Sequence, residues 1–591
     1  MNLKDKAIKK YLNLTYKKYL KNQLRKEYAK WDDPKYKDNI NQTYKDLWKT
    51  APKAEPLQNY KNTNVMYQVL VYSFADGNND GIGDFIGLKN KIDYLSNLGI
   101  DQIWLSPIHP SSSYHGYNVK DYCNVADQLG GMDAFIDFLS AAHKKGIKVY
   151  LDLIFNHTSF EHPWFQKAIE GDELYKRYYR IEPDLDINDP DVKLDKEFYR
   201  KSFPKVNQTP TNKHYLARFS YSMPDLNLDN KEVIDELAEI QKFWTAVGVD
   251  GFRYDAIAEY FSSEIETKNN FNEAKIFSIL RKASDEITKP AGRDDVFMVG
   301  EWVFTDTLKG LQYLKDGDQL GLNTIYDGFK YFRQNTDVRI PFKDLKELVK
   351  KYEEASPISR WMPFIDNHDT KRWLEVFREE VSKNKPYQLT KKLTELEKDN
   401  LKIAMFQLMA LPGNPIIYQG DELYYFGTRY YGDPSLREPM KWSNPQENCF
   451  IYDGIVIENL EEYILLTSAT QLPVIEEAIK VENSPYSLIQ YMSKLREEFP
   501  FLKETNSDTI ADPYTFVDTD DYSSVTVRKA PGQEKEFLLF AFCNYKNERL
   551  NFIKISRDYH FKPILLNKTN NYGWNFEMKQ GGYAIFKLIK K

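Results

Sequence analysis

The chain is poor in cysteine. It has three in 591 residues, Cys123, Cys449 and Cys543, far apart and without a CxxC spacing. That excludes a disulfide-stapled scaffold and gives no zinc signature. Long apolar runs are also lacking. The longest, such as Phe537 to Cys543, fall far short of the roughly 20 residues that a membrane helix needs, and Met-Asn-Leu-Lys-Asp-Lys at the start is not a signal-peptide core. Nor does one sign of charge dominate: 81 Lys and Arg against 87 Asp and Glu leave −6, too near neutral for a chain built around phosphate backbones. The expectation is a soluble protein that does not take nucleic acid as its partner. It is cytoplasmic as given, or secreted or cell-surface with a leader removed.

What is present is a globular composition, 42% hydrophobic and 28% charged, long enough for three or four domains or for one large barrel with appendages. The first 30 residues hold ten Lys and Arg against two Asp and Glu. Ile8, Leu12, Tyr16, Leu20, Leu24 and Tyr28 recur there at i+4, the pattern of a basic amphipathic helix. The simpler reading packs it on the protein's own body with its lysines solvated. The alternative is peripheral contact with an anionic membrane or a partner.

From Met66 the pattern changes to short β-branched and aromatic runs alternating with helical stretches. Eight such runs occur: 66–74, 102–106, 147–155, 249–255, 296–302, a weaker 324–326, 361–366 and 415–419. Eight strand–helix repeats point to an α/β fold, a (β/α)8 TIM barrel. About 90 residues rich in Tyr, Asp, Pro and Asn follow the third run, too long for an ordinary loop, and imply an inserted subdomain. The tail has strands without helical interludes and implies an antiparallel β-sandwich. The expected divisions are a basic extension over 1–62, the barrel over 63–157 and 222–502, the inserted subdomain over 158–221, and the β domain over 503–591.

In such a barrel the catalytic groups lie past the carboxyl ends of the strands, and polar residues gather there: Asp152, Asn156 and His157, then Arg253 and Asp255, then Glu301, then Asn367, His368 and Asp369. Arg253 and Asp255 are i and i+2 on a strand and share a face, so the guanidinium is expected to hold Asp255 ionised. Glu301, near other acids, is the group expected to keep a proton. An ionised and a protonated carboxyl facing one bond form a glycosidase pair. Any one of these residues alone reads as a loop cap or an ion-pair member. Several strand ends delivering complementary groups do not.

These stretches also resemble, in order along the chain, the motifs of the α-amylase family, glycoside hydrolase family 13: Asp152-Leu-Ile-Phe-Asn156-His157, Gly251-Phe-Arg253-Tyr-Asp255-Ala256, Val299-Gly-Glu301-Trp302 and Phe364-Ile-Asp-Asn-His368-Asp369. Met223-Pro-Asp225 and the run from Gly413 to Glu422 resemble two accessory motifs. The resemblance implies Asp255 as nucleophile, Glu301 as general acid/base and Asp369 as transition-state stabiliser. Its substrate-binding set is Tyr117, Asp152, His157, Arg253, His368 and Arg372. It also implies a retaining mechanism, with the two reacting carboxyls about 5–5.5 Å apart.

Asp76-Gly-Asn78-Asn-Asp80-Gly-Ile82-Gly-Asp84 places hard oxygen donors at alternate positions on a glycine-rich turn, which suits Ca²⁺. Its carboxylates would repel a phosphate. The loop resembles a calcium loop of oligosaccharide-hydrolysing family members, with Asp76, Asn78, Asp80, the Ile82 carbonyl and Asp84 as ligands. In the family, exo-acting glucosidases carry an Asp where Tyr114 stands, and 1,6-specific members often carry Val where Ala256 stands. Both departures favour α-1,4 bonds in an open cleft. Many amylases have Lys-His where Ala258 and Glu259 stand, which puts a second calcium site in doubt. The expected substrate is starch, glycogen or a maltooligosaccharide. An α-glucosidase, an oligo-1,6-glucosidase or a glucanotransferase are the alternatives within the same chemistry, and an inactive sugar-binding barrel is the alternative outside it.

Overall fold

The computed structural model describes residues 40–41, 43–182, 199–201, 214–220, 222–260, 275–302, 307–326, 336–382, 392–427, 433–449, 468–543 and 551–591. The basic helix expected over residues 8–28 lies outside these. Among the described residues no helix is long and apolar enough to cross a membrane.

Seven parallel strands form the central sheet: β1 (Met66–Val69), β2 (Gln102–Leu105), β3 (Lys148–Leu153), β4 (Gly251–Tyr254), β5 (Phe297–Glu301), β6 (Thr324–Tyr326) and β7 (Ile416–Tyr418), in the order β6-β5-β4-β3-β2-β1-β7. The remaining expected run, 361–366, lies between β6 and β7. It bridges Phe364 to Ile416 in parallel, and its Trp361 and Pro363 carbonyls accept from Asn414 and Ile416 at 2.7 and 2.9 Å. The Pro363 carbonyl faces β7, and proline has no N–H to offer on that same side, so the run pairs with β7 through its carbonyls and forms no full ladder. The result is a (β/α)8 barrel with a C-terminal antiparallel β-sandwich.

The barrel interior is packed rather than open. Met66, Trp104, Tyr150, Val299, Tyr326, Met362, Phe364 and Ile416 form a buried plug below the rim. Tyr150 and Phe297 stack at 5.5 Å across β4. The residue between them is Gly251, where an added Cβ would lie 2.6 Å from the Phe297 carbonyl and 2.8 Å from the Tyr150 ring. Glycine is required there because both flanking strands send rings inward.

Helices α1 (Phe85–Asn90), α2 (Gly131–Lys144), α3 (Lys231–Val247), α4 (Lys275–Thr288) and α5 (Phe342–Ala355) lie outside the sheet. The inserted region holds a short antiparallel sheet of Ile181–Glu182, His214–Leu216 and Tyr199–Lys201. The chain before β1 is laid along the barrel. Tyr44 is fully buried, its hydroxyl accepts from the Tyr122 amide at 3.1 Å, and its ring meets Trp164 edge-on. Further on, the Ala54 amide donates to Val247 and the Gln58 amide to His143.

The sandwich and the barrel share one core. Along the strand Glu536–Phe542, alternate residues point to opposite faces. Phe537, Leu539 and Ala541 line the sandwich's own core, while Leu538, Phe540 and Phe542 join the barrel's. Between them runs α6 (Glu395–Ala410), buried nearly all round, with Phe406 stacked on Tyr583 at 4.9 Å. A buried helix end leaves carbonyls without partners, and here two guanidiniums take them. Arg496 donates to Met409, Leu411, Gly413 and Thr63, and Arg528 to Ala410, Phe501 and Thr509.

Stranding those carbonyls is costly, so Arg528→Ala should destabilise the protein by about 3 kcal/mol or more. Calorimetry should show a single transition shifted down. A trace in which only a separate sandwich transition moves would refute the shared core.

Candidate active site

Strand register brings the polar residues together. Asp152 on β3 pairs with Arg253 on β4, and Tyr326 on β6 pairs with Glu301 on β5. With inward-facing residues alternating, Asp152, Arg253, Asp255, Glu301 and Tyr326 converge just above the aromatic plug. Arg253 is at the centre. Its Nη1 donates to Asp152 at 2.7 Å and to Asp255 at 2.5 Å, its Nη2 lies 2.9 Å from Glu301 Oε2, and both Nε and Nη2 reach the Tyr326 hydroxyl. Its plane lies near the Trp104 and Tyr326 rings, 5.2 and 5.6 Å from their centroids.

One cation faces three buried carboxylates, so they cannot all ionise cheaply. Burial is the largest influence on Glu301 and, with the neighbouring Asp255 and Asp369 charges, pushes its carboxyl up to about 7 against the pull of Arg253. Burial raises Asp255 as well, and it outweighs the lowering expected from Arg253 alone. Arg253 and a hydrogen bond from the Glu301 carboxyl nevertheless work to keep Asp255 ionised. Arg253 thus bridges the two carboxyls, bonding Asp255 through Nη1 and ion-pairing with Glu301 through Nη2. The Ala256 amide also donates to Glu301 at 2.8 Å, from a left-handed backbone (φ 48°) that a residue with a Cβ rarely adopts.

On the opposite rim, the Gln68 amide nitrogen lies 2.6 Å from His368 Nδ1, which puts the ring proton on Nε2. That nitrogen faces the Tyr117 hydroxyl at 2.5 Å and Asp369 at 3.1 Å, and Tyr117 in turn donates to Asp152 at 3.3 Å. Burial pushes His368 down to about 3 and His157 to about 4, so both rings are neutral donors. His157 donates to the Tyr117 carbonyl at 3.1 Å and so braces the Tyr117 loop. Asp369 is the most open of the acids. Burial acts to raise it, but the charges of Arg437 and Arg253 pull it down, and the neutral His368 ring adds an N–H 3.1 Å away.

Arg372 does not join them. It is fully buried, paired with Asp421 at 3.1 Å and laid over the Tyr418 ring at 4.0 Å, so the structure corrects its expected place in the substrate set. Its position three residues past Asp369 turns it outward, behind β7. The cation at Asp369 is instead Arg437, at 2.9 Å, which also donates to the His368 carbonyl and the Tyr114 hydroxyl. Arg437 comes from a distant loop, and no spacing in the sequence ties it to the site. Sequence reasoning also missed Phe219, half exposed, whose ring packs against His157 at 5.3 Å. It missed Arg218 too, which pairs with Glu259 at 2.5 Å and Asp225 at 3.3 Å. Arg218 thus brings a cation to the turn where many amylases carry Lys-His.

The acidic turn follows β1. Both Asp76 oxygens accept backbone amides, from Asn78, Asn79 and Gly81, and Asp84 caps α1 through the Gly87 amide. Burial, and the charges of Asp76 and Asp80 beyond it, push Asp84 up to about 6. Among the described residues no three His, Cys, Asp or Glu side chains close on one point as a metal-holding group. The donor chemistry still fits a hard cation. The three carboxylates repel one another, and an amide-bonded carboxylate keeps lone pairs free.

A barrel with a buried carboxyl pair bridged by arginine at its carboxyl rim defines an enzyme acting on O-glycosyl bonds. The alpha amylase catalytic-domain profile matches residues 68–505, and the chain belongs to that family, glycoside hydrolase family 13, which includes hydrolases and transferases. It is 33% identical over 401 residues to Alpha-amylase 3 of Dictyoglomus thermophilum, covering 66% of this chain and 69% of that one. It is 27% identical over 583 residues to the probable oligo-1,6-glucosidase 2 of Bacillus subtilis, covering 86% of this chain and 98% of that one. Among solved structures, Eubacterium rectale Amy13B superposes with a TM-score of 0.70 at 22% identity, covering 92% of this chain and 98% of that one.

Proposed function

We propose that the protein is a retaining α-glucan hydrolase cleaving α-1,4 bonds of starch, glycogen or maltooligosaccharides. The observation that carries the chemistry is the bridge made by Arg253, whose Nη1 bonds Asp255 at 2.5 Å while its Nη2 lies 2.9 Å from Glu301, the carboxyl that burial pushes up to about 7. In the first step Glu301 gives its proton to the glycosidic oxygen while Asp255 bonds to the anomeric carbon and the leaving sugar departs. In the second, the Glu301 carboxylate takes a proton from water, whose oxygen displaces Asp255 with a second inversion, so the configuration is retained. Asp369, anionic through Arg437, faces the positive charge that develops on the ring. Neutral His368 and Tyr117 donate to sugar hydroxyls.

The α-1,4 reading rests on Ala256, where 1,6-specific members often carry Val, and the open-cleft reading rests on Tyr114. The position where exo-acting relatives place a carboxylate carries a phenol, bonded to Arg437 at 3.1 Å, so this position offers no carboxylate to grip a chain end. The name of the Dictyoglomus relative supports this reading, and that of the Bacillus relative supports the 1,6 alternative. Product analysis decides between them. Mixed maltooligosaccharides from maltoheptaose and starch are expected, whereas glucose alone, or turnover confined to isomaltotriose, would overturn the proposal. Asp255→Asn should lower kcat by at least about 10³-fold with the fold intact.

Glu301 must be protonated to act, and its proton is lost as pH rises through about 7. kcat/KM should therefore fall on the alkaline side with an apparent pKa near that value. A rate flat to pH 9 would contradict the role given to Glu301.

In this reading Asp76, Asn78, Asp80, the Ile82 carbonyl and Asp84 would hold Ca²⁺, which would neutralise the crowded carboxylates of the turn. Chelation should then lower Tm, and Asp80→Asn should remove that response. A wild-type Tm indifferent to chelator would exclude the ion.

A further inference from the structure

Tyr514 is 62% exposed, more than any other large apolar or aromatic side chain among the described residues. Its ring lies on that of Tyr522, with centroids 3.9 Å apart and planes 24° from parallel. Tyr522 in turn packs on the sandwich core. Both are held on capped turns. Asp512 accepts the Tyr514 amide at 3.0 Å with Pro513 buried between. Asp521 accepts the Ser523 amide at 3.0 Å and the Ser524 hydroxyl at 2.9 Å. Asp521 is also tied to Arg339 of the barrel at 3.0 Å. The pair is therefore a rigid aromatic shelf, open on one face, with little conformational entropy to lose on binding.

We infer that Tyr514 and Tyr522 form a second carbohydrate-binding platform, which holds an α-glucan chain outside the catalytic cleft. The inference rests on the α-glucan reading above. Sugars lay their C–H faces on such rings, and the exposed neighbours Asp512, Thr515, Asp518 and Asp520 offer hydroxyl partners. The same carboxylates repel nucleic acid and anionic lipid. Placement agrees. The carboxyl end of α5 leads to the amino-terminal edge of the barrel at Trp361, so its start at Phe342, just beyond Arg339, lies toward the catalytic rim. The sandwich follows the helix along its length, touching Arg339 before its start through Asp521 and Glu353 near its end through Ser507. A long polysaccharide can engage platform and cleft together, which a short oligosaccharide cannot, and two linked contacts raise apparent affinity without any change in the chemistry.

The test is electrophoresis in native gels containing glycogen or amylopectin, with the Asp255→Asn protein as host so that the gel is not digested. The host should be retarded, Tyr514→Ala in that host should lose most of the retardation, and Tyr514→Trp should restore it. In the active protein, Tyr514→Ala should leave kcat/KM on maltopentaose within about twofold while raising apparent KM on glycogen by about 5–10-fold. Equal retardation of host and variant would overturn the platform, as would a Tyr514→Ala effect confined to oligomeric state. Turnover of maltopentaose without gel retardation would sink the platform and leave the catalytic reading standing. Absence of turnover on any α-glucan would sink that reading first and the platform with it.

Discussion

The catalytic rim depends on one guanidinium. Three carboxylates buried side by side would be untenable in a medium of low dielectric, and Arg253 makes the arrangement possible by donating to Asp152 and Asp255 and ion-pairing with Glu301. Lysine could not replace it, because a single ammonium cannot present parallel donors to three strand ends. The cluster is still short of positive charge by design. Burial under that shortfall pushes Glu301 up to about 7 and raises Asp255 too.

Much of this was legible in the sequence, for reasons that can be named. Strands β1 to β5 read clearly because each falls within an apolar run of the alternating pattern, and α3 fills the helical stretch just before β4. Arg253 and Asp255 were legible as a pair because i and i+2 on a strand must share a face. The run 361–366 was legible as a barrel element but not as a partial one, since the effect of Pro363 depends on which neighbour asks for its N–H.

What stayed hidden came from residues brought in by long loops. Arg437 reaches Asp369 across 68 positions, and Arg218 reaches Glu259 across 41. No periodicity encodes such contacts. Arg372 misled for the opposite reason. Nearness in sequence to Asp369 suggested nearness in space, but the turn after the motif sends it behind the wall, where Asp421 and the Tyr418 ring take its charge. Tyr44 gave no sign of being a core residue, because its partners Tyr122 and Trp164 come from the loops after β2 and β3.

The clasp of Arg496 and Arg528 on the end of α6 bears on how this architecture can be altered. A helix clad on one side by the barrel and on the other by the sandwich belongs to neither. Its residues answer to two sets of neighbours, so the β domain is not a detachable module that could be shuffled onto another barrel or shed in a shortened relative. Change at this seam must be concerted. A change of volume in α6 is felt by the barrel and by the strand Glu536–Phe542 at once.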